Sequence, residues 1–358
     1  MPNARIVGLG TALPNHSLST EEYIQHAKQF AGATPRQEKV LEELYRRTAI
    51  TQRASVLSGP YGKHAEEVFI PADCSQDRGP TTGHRMRYYA DQIGALAKAA
   101  CESAFATSSV TPSQITHVVT VSCTGFNAPG FDIELIHSLP LSRSVERTHV
   151  GFMGCHGGLN GLRVASAFCA ADPNARVLLC AAEACSLHFQ YGWGTDRLVA
   201  NSLFADGAAA VILSAPGGAQ GADICVKDTA SYIIPDSLDQ MLWRIGDNGF
   251  EMHLAATVPS LIEQWLPGFM RGWLGETRVD EWVVHPGGPK ILDAVQASLR
   301  LPDSALDSSR EVLAMCGNMS SPTVFFILEK LRARSAKGKC VMLGFGPGLT
   351  VEATLLDL

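Results

Sequence analysis

A single cysteine, Cys155, lies in a short glycine-flanked segment that follows an apolar run. Small and apolar residues at helical spacing come directly after it, over residues 159–168. We therefore predict a strand, a tight elbow that carries Cys155, and a helix that begins at or just after the cysteine. The unpaired N–H groups and positive dipole end of a helix N-terminus favour a thiolate over a thiol. Cys155 is thus predicted to be a nucleophile.

Two further residues could assist a cysteine nucleophile. His285 lies at the end of a predicted strand, where Pro286-Gly287-Gly288 stops the ladder, and Asn318 follows Gly317 just before a small polar helix start. A thiolate can accept an acyl group, while N–H groups of a histidine and an asparagine can hydrogen-bond the oxyanion of a thioester carbonyl. This set therefore suits thioester chemistry. A capped core histidine and a helix N-cap asparagine are the alternatives without chemistry.

Composition narrows the classes of protein to consider. The 358 residues are 46% hydrophobic and 18% charged, with a net charge of -6, which argues against nucleic-acid or anionic-membrane partners. We find neither a signal-peptide pattern nor an apolar run of roughly 18 residues that could span a membrane, so we expect a cytoplasmic protein. The ten cysteines form no CxxC pair. We expect them to be reduced, and we expect no metal site.

Strand and helix patterns alternate along the chain and restart near residue 220. Strands are predicted at 5–13, 116–122, 175–182, 207–213, 224–232, 281–285, 339–344 and 350–356, and the principal helices at 35–47, 85–107, 129–138, 195–203, 255–273, 289–299 and 322–333. A long surface excursion is predicted over 54–84, and a loop after 232. The alternation predicts an α/β protein with mainly parallel sheets and helices on both faces. Weak likeness between the halves predicts a duplication, residues 1–220 with Cys155 and residues 221–358 with His285 and Asn318.

Five short motifs, in order, carry a resemblance that covers nearly the whole chain. They are Gly154-Cys155-x-x-Gly158, Leu203-Phe204-x-Asp206-Gly207-Ala208-Ala209, His285-Pro286-Gly287-Gly288, Gly317-Asn318-Met319-Ser320-Ser321 and Gly344-Phe345-Gly346-Pro347-Gly348. With them the chain resembles the type III polyketide synthases of the chalcone and stilbene synthase superfamily, with a bacterial-type member favoured. The resemblance implies a duplicated thiolase-like fold with αβαβα layers and mixed, mainly parallel sheets.

The resemblance also implies an acyltransferase mechanism. Cys155 would accept a starter acyl group from acyl-CoA. His285 and Asn318 would stabilise the enolate that forms when malonyl-CoA loses carbon dioxide, and repeated condensation would give a pyrone, a resorcinol or a related aromatic polyketide. The resemblance implies a homodimer that acts on small-molecule CoA thioesters and needs no cofactor beyond these substrates.

Further positions acquire roles only through this resemblance. Phe204 matches a gatekeeping aromatic residue, and Met252 replaces a second one. The implied substrate-binding set is Phe204, Met252, Cys123, Thr124, Cys185, His188, Ser320 and Phe345, and the implied CoA-binding set is Arg47, Gly287, Gly288 and Lys290. Two basic positions of the family are lost at Val40 and Glu43, with Arg46 and Arg53 as candidates to compensate. Ala128 stands where plant enzymes have a methionine that reaches the partner subunit. We expect a cavity that is smaller near His188 and looser near Met252 and Ala128.

Three alternatives remain open at this point. Ketoacyl-ACP synthases of the same superfamily share the Cys–His–Asn triad but lack the Gly-Phe-Gly-Pro-Gly segment. A Cys–His–Asn thioester hydrolase would release only free acid, although the cysteine signature of papain-like hydrolases is absent here. A non-catalytic binding module would show ordinary reactivity at Cys155.

Overall fold

The computed structural model describes residues 4–57, 69, 72, 76–216 and 224–358. Its strands are β1 (Arg5–Ala12), β2 (Ser17–Ser19), β3 (Gln52–Ala54), β4 (His117–Ser122), β5 (Glu146–Gly151), β6 (Arg176–Ala184), β7 (Asp206–Ser214), β8 (Ile224–Ile233), β9 (Met241–Gly246), β10 (Gly249–Leu254), β11 (Glu281–Val284), β12 (Lys339–Gly346) and β13 (Thr350–Asp357). Its α-helices are α1 (Thr20–Ala31), α2 (Pro35–Arg47), α3 (Thr82–Ala106), α4 (Phe131–Ser138), α5 (Gly157–Ala171), α6 (Thr195–Leu203), α7 (Val258–Leu274), α8 (Pro289–Leu299), α9 (Asp307–Cys316) and α10 (Thr323–Ala333).

Nine strands form one mixed sheet in the order β11-β12-β13-β8-β1-β7-β6-β4-β5. Its two parts meet where β1 pairs with β8 through only two residue pairs, Arg5 with Cys225 and Ile6 with Ile224. The expectation of mainly parallel sheets is wrong. Parallel pairing occurs between β11 and β12, β4 and β5, and β4 and β6, while the other neighbours in this sheet are antiparallel. Alternation along the chain predicts which elements follow one another, but it does not fix the direction of each strand.

The core has helices in three layers around the two parts of the sheet. Helices α5 and α10 lie in the middle, where Leu162 and Phe325 pack with inward residues of both parts, such as Val119 and Met342. Helix α3 covers the outer face of the N-terminal part, and α7 and α8 cover the outer face of the C-terminal part. The predicted αβαβα layering is therefore confirmed. This layering arises because the helices carry apolar residues that must be buried against a sheet on one or both sides.

Several predicted elements are confirmed and others were missed. Helices α2, α6 and α8 have the predicted bounds. The predicted loop after residue 232 is wrong in part, because β9 and β10 form a hairpin there, and α9 was not predicted. The boundary predicted at residue 220 lies in 217–223, outside the described residues, as does much of 54–84. The division into two similar halves stays a prediction.

Candidate active site

Cys155 lies on an elbow between the edge strand β5 and helix α5. The chain turns over residues 152–156, and α5 begins at Gly157 with His156 as its N-cap, so the predicted strand, elbow and helix are confirmed. Gly154 has φ +87°, and a Cβ there would come 2.4 Å from Cδ of Pro347. Only glycine tolerates both the positive φ and the close approach. The turn therefore depends on Gly154 to position the adjacent thiol.

Cys123, which follows β4, supports the elbow through hydrogen bonds with Gly154. Its Sγ accepts a hydrogen bond from Gly154 N at 3.0 Å and donates to Gly154 O at 3.3 Å. Its own N–H donates to the Glu183 carboxylate at 2.9 Å. Cys123 was expected only to line a cavity. The structure also makes it a direct support of the turn that carries Cys155.

The expectation that Cys155 rests as a thiolate is contradicted. Its side chain is buried, and this burial raises the pKa of the thiol to about 11. Hydrogen bonds from the side chains of Ser320 and Asn318 act in the opposite direction but are smaller in effect. A low-dielectric site disfavours the charged form more strongly than the helix N-terminus favours it. We therefore expect Cys155 to be a thiol before substrate binds.

His285 follows β11, where its N–H donates to Leu343 O at 2.8 Å. Its side chain is 1% exposed, and neither ring nitrogen has a hydrogen-bond partner within the part of the chain that the structure describes. Buried polar groups usually have partners, so the capped core histidine is excluded as a description of this ring. Burial, with a smaller effect of His156, lowers the pKa of His285 to about 3. The imidazole is neutral, with one N–H to donate and one nitrogen to accept a proton.

Asn318 is fixed by its backbone and by its side-chain oxygen. Asn318 N donates to Leu203 O at 3.0 Å, and Asn318 O accepts from Ala205 N at 2.9 Å. Its Oδ1 accepts from Ser320 N at 2.8 Å, which sets the plane of the amide. Helix α10 begins five residues later with Pro322 at its N-cap, so the N-cap alternative for Asn318 is wrong. The amide nitrogen of the Asn318 side chain is therefore available to donate a hydrogen bond to the Cys155 sulfur.

Cys155 lines two small cavities, which we call the inner cavities. One, of about 30 Å³, is lined by Cys155, His285 and Asn318. The other, of about 20 Å³, is lined by Cys155, Cys123 and Ser320 among others. The predicted residues that line one or both are Cys123, Thr124, Cys185, Phe204, Met252, Gly287, Ser320 and Phe345. Residues from distant parts of the chain therefore meet at the nucleophile, as the sequence predicts.

His188 lies elsewhere. It lines a cavity of about 560 Å³, the outer cavity, which also reaches Tyr23, Arg197 and Arg244. Both ring nitrogens of His188 are engaged, one with Thr124 O at 2.7 Å and one with Phe250 N at 2.9 Å. The imidazole stacks on the Phe250 ring at 4.0 Å. His188 is not among the described residues that line the inner cavities, and its binding role stays a prediction.

The predicted CoA-binding residues are divided between cavity and surface. Gly287 lines an inner cavity and Gly288 is buried beside it, whereas Lys290 and Arg47 are exposed, and Arg47 Nε donates to Glu43 at 2.7 Å. The suggestion that Arg53 replaces a lost basic residue is wrong. Arg53 is 1% exposed and donates to Ser202 O at 2.9 Å, with its guanidinium 4.2 Å above a tyrosine ring. It cannot reach a phosphate at the surface.

Two residues at the site, Glu183 and Trp243, were not predicted from the sequence. Glu183 is fully buried and accepts hydrogen bonds from Thr124 Oγ1 at 2.6 Å and Ser321 Oγ at 2.5 Å, which tie three segments around the elbow together. The sequence feature that could have identified Glu183 is a carboxylate within an otherwise apolar strand. Trp243 lines an inner cavity and the outer cavity. The sequence feature that could have identified its hairpin is the Asn248-Gly249 pair, which is frequent in hairpin turns.

Family comparisons match both parts of the chain. Residues 2–217 match the family described as "Chalcone and stilbene synthases, N-terminal domain", and residues 226–358 match "Chalcone and stilbene synthases, C-terminal domain". The chain is 37% identical to 1,3,6,8-tetrahydroxynaphthalene synthase of Streptomyces peucetius subsp. caesius over 73% of this chain and 72% of that protein. It is 30% identical to type III polyketide synthase C of Arabidopsis thaliana over 99% of this chain and 94% of that protein.

Solved structures agree with these relatives. PKS-I from the brown alga Ectocarpus siliculosus superposes with a TM-score of 0.91 at 28% identity, over 100% of this chain and 98% of that chain. The C-terminal type III polyketide synthase domain of Steely1 from Dictyostelium superposes with a TM-score of 0.88 at 26% identity, over 99% of each chain. The predicted thiolase-like α/β fold is thereby confirmed.

Proposed function

Since the chain belongs to the chalcone and stilbene synthase family and is a type III polyketide synthase, we propose that Cys155 carries the acyl chain while His285 and Asn318 stabilise the enolate. The observation that carries this assignment is the buried His285 ring. It has no hydrogen-bond partner among the described residues, and it shares a cavity with the Cys155 thiol and Asn318. An unpaired imidazole in such a place is available for a reacting group.

In the loading step the Cys155 sulfur attacks the carbonyl carbon of an acyl-CoA thioester. The thiol proton passes to the accepting nitrogen of His285 as the new C–S bond forms. The bond to the CoA sulfur then breaks, and the departing sulfur takes the proton as free CoA. Because burial disfavours a resting thiolate and a resting imidazolium, the Cys155–His285 ion pair forms in this step only as the sulfur attacks.

In the extension step malonyl-CoA loses carbon dioxide. The electron pair of the broken C–C bond passes to the α-carbon and gives an enolate, whose oxygen accepts hydrogen bonds from His285 N–H and Asn318 N–H. The enolate carbon attacks the carbonyl carbon of the Cys155 thioester and a C–C bond forms. The cysteine sulfur leaves as a thiolate, which carries the negative charge of the lost carboxylate. The lengthened chain on CoA then returns to Cys155, and repetition gives a linear chain that closes to a pyrone, a resorcinol or a related aromatic product.

Other assignments for this site receive less support. A ketoacyl-ACP synthase III-like enzyme and a thioester hydrolase are not favoured, because the relatives that cover most of the chain are polyketide synthases. The proposed cycle uses CoA thioesters and calls for no further cofactor. Entry of CoA past Gly287, with Gly288, Lys290 and Arg47 near the nucleotide end, is part of the proposal.

We further propose a homodimer that uses the edge strand β5. Support comes from its place at one end of the nine-stranded sheet and from Phe126 and Met153, which are 44% and 39% exposed beside the catalytic elbow. Unpaired strand edges and exposed apolar side chains favour association. Light scattering on the purified chain should give twice the chain mass, and a monomer at micromolar concentration would exclude this dimer.

A cytoplasmic location is likewise proposed. Support comes from the composition and from the absence of any helix, among those described, that is long and apolar enough to cross a membrane. Fractionation of cells that express the chain should place it with the cytosolic proteins. Recovery in the membrane fraction would contradict the proposal.

The experiment for the function is incubation of the protein with malonyl-CoA and a set of acyl-CoA starters, with mass analysis of the products. We expect release of carbon dioxide and products that exceed the starter by one or more ketide units. Free acid as the only product would identify a hydrolase, and neither condensation nor carbon dioxide with any starter would refute the proposed reaction.

A further inference from the structure

Each round of the proposed extension takes up one proton. Malonyl-CoA enters with a carboxylate and loses carbon dioxide, so the negative charge ends on the Cys155 sulfur. When that sulfur takes the lengthened chain back from CoA, the charge passes to the CoA sulfur, and free CoA carries a thiol proton at neutral pH. Loading of the starter only moves a proton from Cys155 to CoA. The buried site therefore needs protons from water during extension but not during loading.

We propose that His156 passes this proton to His285, which delivers it to the departing CoA sulfur. The inference rests on the proposed function, in which His285 exchanges a proton with sulfur. His156 is not among the residues that line the inner cavities. It acts through His285 and is therefore a positioning residue for the proton.

The His156 imidazole is buried and has one unused nitrogen. The residue is 3% exposed, and its Nδ1 lies 2.7 Å from Asn160 Oδ1. Because an amide oxygen only accepts, Nδ1 carries the hydrogen and Nε2 keeps its lone pair. Nε2 has no hydrogen-bond partner among the residues that the structure describes. Buried polar atoms usually have partners, so an unpaired nitrogen beside the nucleophile is a candidate for proton transfer.

The His156 ring lies directly on the backbone of β12. A Cβ at Gly344 would come 3.0 Å from His156 Cβ, and a Cβ at Gly346 would come 2.6 Å from Nε2. No side chain fits between this ring and the strand. The absence of side chains at Gly344 and Gly346 therefore lets the imidazole sit on the strand next to the catalytic histidine.

The same strand holds His285. Its N–H donates to Leu343 O at 2.8 Å. Side chains alternate along a strand, and Val283, two residues before His285, belongs to the apolar cluster that contains Leu162 of α5. The alternation places His285 on the face of the sheet that His156 covers. Beside the main effect of burial, a charge on His156 lowers the pKa of His285, as expected for two neighbouring imidazoles.

A row of polar side chains leads from this pair to the surface. Gly344 lies opposite Glu352 on β13, and Glu352 lies opposite Ser231 on β8. Opposed residues share a face of the sheet, so Glu352 is on the face that His156 covers. Ser231 Oγ donates to Glu352 Oε1 at 2.8 Å, and Arg163 forms an ion pair with Oε2. Ser231 is exposed and the Arg163 side chain is 35% exposed, so the row reaches water.

The charges around His156 suit a short-lived imidazolium. Burial lowers its pKa, the hydrogen bond with Asn160 and the charge of Glu352 act in the opposite direction, and Arg163 adds to the lowering. The ring is therefore neutral at pH 7, and Nε2 can take a proton and release it again. In each round one proton passes from water to His156, then to His285, then to the CoA sulfur. A thiolate is a stronger base than either imidazole, so the overall transfer is favourable.

The test compares loading with extension in H156Q and H156N. Glutamine and asparagine keep an amide near Nε2 or Nδ1, but neither titrates. Loading is measured as the rate of Cys155 acylation by acetyl-CoA, and extension as carbon dioxide release and product mass with malonyl-CoA. We expect loading within about twofold of the parent and extension about tenfold or more slower. The ratio of variant to parent extension rate should rise as pH falls from 8 to 6, because acids in water then replace the missing donor.

The matched control is H117Q. His117 is also a buried histidine, bonded through Nδ1 to Thr116 Oγ1 at 2.8 Å and stacked on Phe168, and it lines none of the three cavities. This change should leave loading, extension and their pH dependence as in the parent. E352Q, which keeps an acceptor oxygen for Ser231 but removes the charge, should slow extension more than loading.

The outcomes separate this inference from the proposed function. A parent protein that neither becomes acylated at Cys155 nor releases carbon dioxide would refute the function and the proton route together. If the parent does both, the route is refuted when the folded His156 variants extend at the parental rate, or lose loading and extension equally at every pH. Should neither His156 variant fold, the same comparison in E352Q decides.

Discussion

Cys155 and His285 line one buried cavity, and burial moves their pKa values in opposite directions, the thiol to about 11 and the imidazole to about 3. Both shifts favour the neutral form, so near neutral pH the pair rests as thiol and imidazole rather than as an ion pair. In the proposed loading step, the proton must therefore move from the Cys155 sulfur to a ring nitrogen of His285. This relationship gives the site a pH dependence that can be measured.

Alkylation of Cys155 should become faster with pH without a plateau below about pH 9, since the thiolate is the reactive form. The rate should rise about tenfold per pH unit between pH 7 and 9, because the raised pKa of about 11 leaves a small thiolate fraction. The measurement is the rate of iodoacetamide labelling of the Cys155 peptide by mass spectrometry. N318A should slow labelling at each pH, since its hydrogen bond lowers the thiol pKa. A plateau reached by pH 7 would show a resting thiolate and contradict this account.

Cys155→Ala should abolish chain extension, with a loss of about 10⁴-fold or more, because no other group takes the acyl chain. Decarboxylation of malonyl-CoA should survive in part, since the oxyanion donors remain. Product mass and carbon dioxide release are measured on the same samples. C316A is the control, because Cys316 lines none of the cavities at the site. Extension that persists in C155A would move the acyl anchor to another residue.

Asn318→Ala should slow decarboxylation of malonyl-CoA by about 10²-fold to 10³-fold, the usual effect of removing one oxyanion donor. Loading should be affected less, because proton transfer to His285 remains. The comparison uses the carbon dioxide release rate against the rate of acyl-enzyme formation. Equal losses in both steps would indicate a general disturbance of the elbow instead of a missing donor.

Gly154→Ala should destabilise the protein by about 1–3 kcal/mol and displace the thiol, because φ is +87° and the added Cβ meets Pro347. Gly268→Ala is the matched control. Nothing lies within 4 Å of a Cβ at Gly268, which is inside α7, so this change should stabilise by about 0.5–1 kcal/mol. Urea unfolding measures both. A neutral G154A with full activity would show that the elbow does not require the positive φ.

Asp206 provides a stability prediction with a defined pH window. Burial raises its pKa from 3.8 to about 6, so the folded state favours the protonated acid. The stability due to this group is fully present below pH 3.8 and is lost as pH rises through about 6, a change on the order of 3 kcal/mol. The unfolding free energy of D206N relative to the parent should therefore improve by that order between pH 4 and 7. A difference for D206N that stays flat between pH 4 and 7 would contradict the shift.

Cys155 and His285 could be proposed from the sequence because each has a local signature, and the structure brings both to one cavity. The glycine-flanked cysteine before a helix and the histidine at a strand end can be recognised without knowledge of the partner elements. Their ionisation could not be predicted in the same way. The pKa of Cys155 depends on burial by segments that are distant in the sequence, including the one that carries Asn318 and Ser320.

The other differences between the sequence predictions and the structure arise from tertiary packing. Strand directions depend on which strands become neighbours in the sheet, and alternation along the chain does not encode that order. Arg53 looked available for phosphate, yet it is buried against aromatic rings, a frequent position for an arginine stem and guanidinium. Trp243 was missed although Asn248-Gly249 marks its hairpin, because the apolar pattern around it is irregular.

The most direct measurement of the central claim is the intact and peptide mass of the protein after brief incubation with a starter acyl-CoA and malonyl-CoA. We expect the starter acyl group on the Cys155 peptide, followed by a ladder of masses spaced by one C₂H₂O unit, with no ladder in C155A. A ladder on another residue, or an acylated Cys155 that yields only free acid and never gains a ketide unit, would contradict it.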